Sequence, residues 1–107
     1  MNQQDYLKRF EEITNQMLEI TKAKNTDYSW KDNSNPFKNF EAVEMFWVKT
    51  ADGFITRMTD KLMRISNLTR QENAVSDEKI TDTLLDLSCY AILMKIRLED
   101  LSTNKWE

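Results

Sequence analysis

DEKITDTLLDLSCYAILMKIRLEDL, residues 77–101, is the segment on which the fold turns. Ile80, Leu84, Leu87, Ala91, Met94, Leu98 and Leu101 recur at alternating steps of four and three, which is the seam of a helix made to meet another helix. A second apolar stripe, Leu85, Cys89, Ile92 and Ile96, lies more than a third of a turn away. A helix that is apolar on two sides is sandwiched. In so small a chain the second side is expected to meet another subunit. Between the stripes Glu78, Asp82 and Asp86 stand four residues apart, so they stack along one line that Tyr90 and Leu93 continue.

Working outward, Phe54, Met58, Leu62, Ile65 and Leu68 predict a helix from residue 54 to about 70, with Arg57, Asp60, Arg64 and Asn67 along its other side. Thr50 to Gly53 reads as a break, with Asp52 a turn or N-cap residue. Residues 38–48 form a short helix in this reading, and the polar stretch 71–78 is a connection with Ser76 as N-cap. Tyr6, Phe10, Ile13, Met17 and Ile20 mark an amphipathic helix over residues 3–24. Residues 24–40 hold Tyr28, Trp30, Phe37 and Phe40 among loop-forming residues, and so read as an ordered loop. Those rings either seal one end of a bundle or contact a nucleotide or partner. The chain has one glycine and one proline, too few for the tight turns of a sheet. The expected fold is all-α, one domain over residues 1–107, a bundle of four or five helices that oligomerises through the last.

Composition removes several functions. With no histidine and one cysteine, histidine-based zinc chemistry, Ser-His-Asp triads and an intramolecular disulfide are all excluded. A net charge of −3 without a basic arm argues against coating nucleic acid. No apolar run approaches a membrane span, and MNQQDYLKRF lacks a signal-peptide core, so a cytoplasmic protein is expected. Cys89 reads as a small core residue.

The chemistry left is that of carboxylates and cations. A carboxylate between apolar stripes needs a counter-charge, and stacked hard oxygen donors favour Mg²⁺ or Mn²⁺. One line of acids cannot enclose a metal, so an acid from a facing helix is required: Asp60 first, with Glu41 and Glu44 in reserve. Mg²⁺ commonly bridges to substrate phosphates, and Arg57, Lys61 and Arg64 would neutralise phosphate oxygens. The plain alternative remains open, with Glu78 and Asp82 as first-turn acids and Asp60 paired to Arg64 on a solvated face.

The order KNTDYSW, NPFKNF, GFITRMTDKLMRISNL and DEKITDTLLDLSCYAIL, over roughly residues 22–95, resembles the nucleotide modification associated domain 1 family. That family is common in phages and bacteria and related to the MazG-like all-α nucleoside triphosphate pyrophosphohydrolases. The resemblance implies a MazG-like bundle that forms dimers or tetramers and handles nucleotides with Mg²⁺. It assigns Lys24, Asp27, Tyr28 and Asn39, with Lys61 and Arg64, to nucleotide binding, and Asp60, Glu78, Asp82 and Asp86 to metal and catalysis. Two features differ from the family pattern. Ser29 stands where a glycine is frequent, and Glu41-x-x-Glu44 replaces the MazG Glu-Glu-x-x-Glu run. The functional expectation is a nucleoside triphosphate pyrophosphohydrolase; the alternatives are a non-catalytic nucleotide or nucleotide-signal binder and a structural helical module.

Overall fold

A computed structural model describes residues 1–29, 35–71 and 77–101; the side chains of residues 25–29, 77–79 and 101 lie outside that description. All regular structure among the described residues is helical. The chain divides into two compact units, Met1–Pro36 and Phe37–Glu107.

Among its described residues the first unit holds one helix, α1 (Gln3–Ser29), about 40 Å long at 1.5 Å per residue. Asn2 starts it. Its Oδ1 accepts from the Asp5 amide at 2.8 Å and its carbonyl from the Tyr6 amide at 3.0 Å, which satisfies two of the free donors of the first turn. The helix continues five residues past the expected end at residue 24. No glycine or proline occurs before Pro36, so nothing in the backbone forces an earlier stop.

The second unit opens at Phe37, whose carbonyl accepts the amides of Phe40 and Glu41. Helix α2 (Lys38–Glu41) makes one turn and tightens into a 3₁₀ helix over Ala42–Phe46. The single helix expected over residues 38–48 is therefore two short pieces. Val43, Phe46 and Trp47 are weak helix formers, and Trp47 closes the segment in the left-handed region at φ 61°, its amide returning to the carbonyls of Val43 and Glu44. Lys49 is extended, and α3 (Thr50–Thr69) follows.

The expected break at Thr50–Gly53 is corrected here: these four residues are the first turn of α3. Asp52 lies inside that turn, where its charge suits the helix dipole, and is not the cap. Gly53 belongs there for packing. A Cβ at this position would stand 3.1 Å from Val43 Cγ2 and 3.7 Å from the Phe40 carbonyl oxygen. The missing side chain lets the 3₁₀ segment lie against α3.

Helix α4 spans Asp77–Leu101, the range its sequence predicts. Phe54, at the start of α3, and Tyr90, late in α4, both meet Phe40, while Lys61 further along α3 meets Asp86. Advancing on α3 thus means retreating on α4, and the two helices run antiparallel. The core is small. Phe54 is fully buried, and Phe40 stacks on it with centroids 4.1 Å apart and planes 7° from parallel. Tyr90 meets the Phe40 ring edge-on at 5.8 Å, and the Arg57 guanidinium lies 4.6 Å from its centroid. Burying a ring of this kind contributes about 2–3 kcal/mol, and each favourable ring pair about 1 kcal/mol more.

The inward face of α4 carries Thr83, Leu87, Tyr90, Met94 and Arg97, of which Thr83 and Arg97 are the buried ones. Thr83, Tyr90 and Arg97 therefore share this face with Leu87 and Met94 of the first apolar stripe, while the second stripe lies on the side turned from Tyr90. Leu84 on one stripe and Ile92 and Ile96 on the other stay exposed, as do Ile55, Leu62 and Met63 on α3.

Candidate functional site

The residues that the sequence singles out for chemistry gather on α3 and α4. Lys61 Nζ lies 3.5 Å from Asp86 Oδ2, both groups partly exposed. This contact joins the Arg-Met-x-Asp-Lys-x-x-Arg segment to the line of acids. It also gives Asp86 the counter-charge that a carboxylate between apolar stripes needs, and the cation is a lysine. Continuing the antiparallel register by one turn brings Asp82 level with Arg64 and Ile65. Asp60, Arg64 and Asp82 are exposed, and none of them forms an ion pair or side-chain hydrogen bond with a described residue. The i, i+4 pairing of Asp60 with Arg64 is thus not made.

Among the described residues, no three Asp, Glu or Cys side chains are grouped to hold a metal. Glu78 belongs to α4, but its side chain lies outside the described residues, as do those of Asp27 and Tyr28 on α1. Asp60 and Asp82 are available as hard oxygen donors. Mg²⁺ often takes one or two protein carboxylates and fills its remaining positions with water and substrate phosphates, so a pair of acids fits that mode and not a closed protein cage. Lys24, on α1, and Asn39, on α2, are both exposed. Phe40, next to Asn39 in the resembling pattern, belongs to the core.

Sequence reasoning missed Arg97. Its side chain is 6% exposed, its Nε donates to Glu41 Oε2 at 2.8 Å, and its terminal nitrogen lies 3.8 Å from Glu44 Oε1. The same Glu44 oxygen accepts the Thr50 hydroxyl at 2.7 Å, and Thr50 is fully buried. One guanidinium therefore ties α4 to α2, to the 3₁₀ segment and, through Thr50, to the first turn of α3. Glu41 and Glu44, the reserve metal ligands of the sequence reading, are turned to Arg97. The one local hint is that Arg97 continues the line Glu78, Asp82, Asp86, Tyr90 and Leu93 at steps of three and four.

No helix among the described residues is long and apolar enough to cross a membrane. Compared with protein-family models, with curated proteins and with solved structures, the chain matches none.

Proposed function

We propose that this chain is a nucleotide-binding protein that works with Mg²⁺ or Mn²⁺ and acts as a nucleoside triphosphate pyrophosphohydrolase, releasing a monophosphate and pyrophosphate. The observation that supports the reading most directly is the Lys61–Asp86 contact. It joins the two helices whose residue pattern suggests phosphate handling. Arg64, unpaired among the described residues, and Lys61, held only by a long and partly exposed ion pair, are the cations offered to phosphate oxygens. Asp60 and Asp82, with Glu78 and Asp86 beside them in sequence, are the carboxylates offered to the divalent ion. Bound there with the phosphates, that ion supplies charge neutralisation and a more acidic water. Lys24, Asp27, Tyr28 and Asn39 contribute base and sugar contacts in this reading. Assembly of two or four copies through α4 belongs to it as well, supported by Ile92 and Ile96, which are about half exposed (47% and 50%) on the side turned from Tyr90.

The test is a melting screen against a nucleotide panel, with Mg²⁺ and again with chelator, beside an assay for pyrophosphate release. A ligand at a hundred times its Kd stabilises by about 2.7 kcal/mol, a rise upwards of about 10 °C for a domain of this size. Asp82→Ala is expected to abolish release and leave the helical signal intact. Lack of turnover of any nucleoside triphosphate with Mg²⁺ or Mn²⁺ would remove the enzyme. A stoichiometric calorimetric isotherm without pyrophosphate would then assign a binder. The exposed apolar side chains of α4 favour a second reading, a structural helical module, which predicts no nucleotide- or metal-dependent rise in melting temperature.

A further inference from the structure

Arg57 has a different environment from the other two cations on its side of α3, Lys61 and Arg64. Its Cζ lies 4.6 Å from the centroid of the Phe40 ring. The side chain is exposed and forms no ion pair or hydrogen bond with a described residue. A ring takes up no conventional hydrogen bond, so this contact leaves the N–H donors of the guanidinium uncommitted. The ring itself is fixed. Phe40 stacks on the buried Phe54 of α3 and meets Tyr90 of α4 edge-on, so both long helices of the unit hold it. A guanidinium resting on such a ring has already given up part of its freedom, and less remains to be lost when an oxyanion docks.

Position along the helix pair narrows the kind of oxyanion. Arg57, Lys61 and Arg64 follow one another at steps of four and three, so they share one side of α3 at intervals of about 4.5–6 Å along its axis. Across from Lys61 stands Asp86, and the antiparallel register brings Asp82 level with Arg64. Level with Arg57 is Tyr90, which meets the same Phe40 ring and brings no charge. Asp60, three residues on from Arg57, does not pair with it. The row therefore has two ends of different character. At the Arg64 end cations and carboxylates are mixed, which suits a phosphate bridged by a divalent ion. At the Arg57 end no carboxylate faces the cation from α4, which suits a phosphate that carries no metal. We propose that Arg57 binds the metal-free end of a ligand's phosphate chain, through a bidentate contact that persists without Mg²⁺. The identity of that ligand rests on the nucleotide reading; the division of its phosphates between a metal-dependent and a metal-independent end goes beyond it.

Titration calorimetry of the full chain at low salt tests this, with inorganic tripolyphosphate in chelator and with nucleoside triphosphates in Mg²⁺. Arg57→Gln should keep the helical signal and weaken both kinds of binding by about tenfold or more, the loss of one charge-assisted contact. Arg70→Gln removes an exposed arginine at the C-cap of the same helix, away from the row, and should leave both affinities within about twofold. An Arg57→Gln protein that binds as tightly as the unsubstituted one would overturn the inference and leave the nucleotide reading standing. Equal weakening by Arg70→Gln would overturn it too, because the effect would then be one of net charge. So would an unsubstituted chain that binds no tripolyphosphate in chelator, even where it binds nucleotide with Mg²⁺. Tripolyphosphate held through Arg57 by a chain that binds no nucleotide would support the inference and remove the nucleotide.

Discussion

Among the described residues, ion pairs tie helix α4 to other elements at two places, Arg97 and Asp86, and the two behave as different kinds of contact. At its C-terminal end Arg97 is buried, holds Glu41 at 2.8 Å, and approaches Glu44, which also accepts the Thr50 hydroxyl. Nearer its N-terminal end Asp86 meets Lys61 at 3.5 Å with both groups partly in water. Desolvation makes the first contact expensive to break, because any carboxylate left without its arginine remains partly buried. Water and salt make the second cheap to break, worth no more than about 1 kcal/mol. The lesson is a division of labour along one helix. Charges near Arg97 are committed to holding the short segment 38–46 in place, whereas charges near Asp86 stay available to a ligand.

Four substitutions probe that division, the largest effect first. Phe40→Ala removes the ring between Phe54 and Tyr90 and the surface under Arg57, and should cost about 3–5 kcal/mol in urea denaturation. A loss below about 1 kcal/mol would mean that the committed end carries no core. Arg97→Met keeps most of the volume but takes the guanidinium from Glu41 and Glu44, and a loss of about 3 kcal/mol is expected. Adding Glu41→Gln should recover part of that loss in a double-mutant cycle, and strict additivity would remove the coupling. Lys61→Met, at the open end, should change stability by under about 1 kcal/mol, and that difference should fade in high salt. The same substitution should abolish the nucleotide-dependent rise in melting temperature; an undiminished rise would place the phosphate contacts elsewhere. Gly53→Ala is the smallest effect. The gain of about 1 kcal/mol from helix propensity is offset by the 3.1 Å approach of Val43 Cγ2, so the net change should stay near zero. In a Val43→Ala background, which makes room for the new Cβ, the same change should become stabilising.

Much of this arrangement was legible in the residues. The four-and-three spacing from Ile80 onward fixed α4, and the apolar stripe from Phe54 fixed most of α3, because long periodic segments express their structure locally. Thr50–Gly53 was misread because a glycine after polar residues carries the signature of a turn. Its actual reason, contact with Val43 and the Phe40 carbonyl, lies ten residues or more away along the chain. Residues 38–48 were misread in the opposite sense, since their apolar spacing suits a helix but the chain is stopped by the left-handed Trp47. Of the candidate site, the sequence singled out Lys61, Asp60 and the line of acids, but not that Lys61 stands opposite Asp86. Arg97 escaped notice because its partners are more than fifty residues distant.

The amino-acid sequence alone determined that this protein is helical, where the two long helices of its second unit lie, and that a row of acids shares one of them with two apolar stripes. These properties follow from spacing within a few turns of one helix. Tertiary structure alone decided which face of α4 turns inward, that Lys61 and Arg97 supply the counter-charges, and that Met45 to Val48 are left bare. Each depends on which distant residue arrives opposite which, and on how much water remains between them, and no local periodicity encodes either.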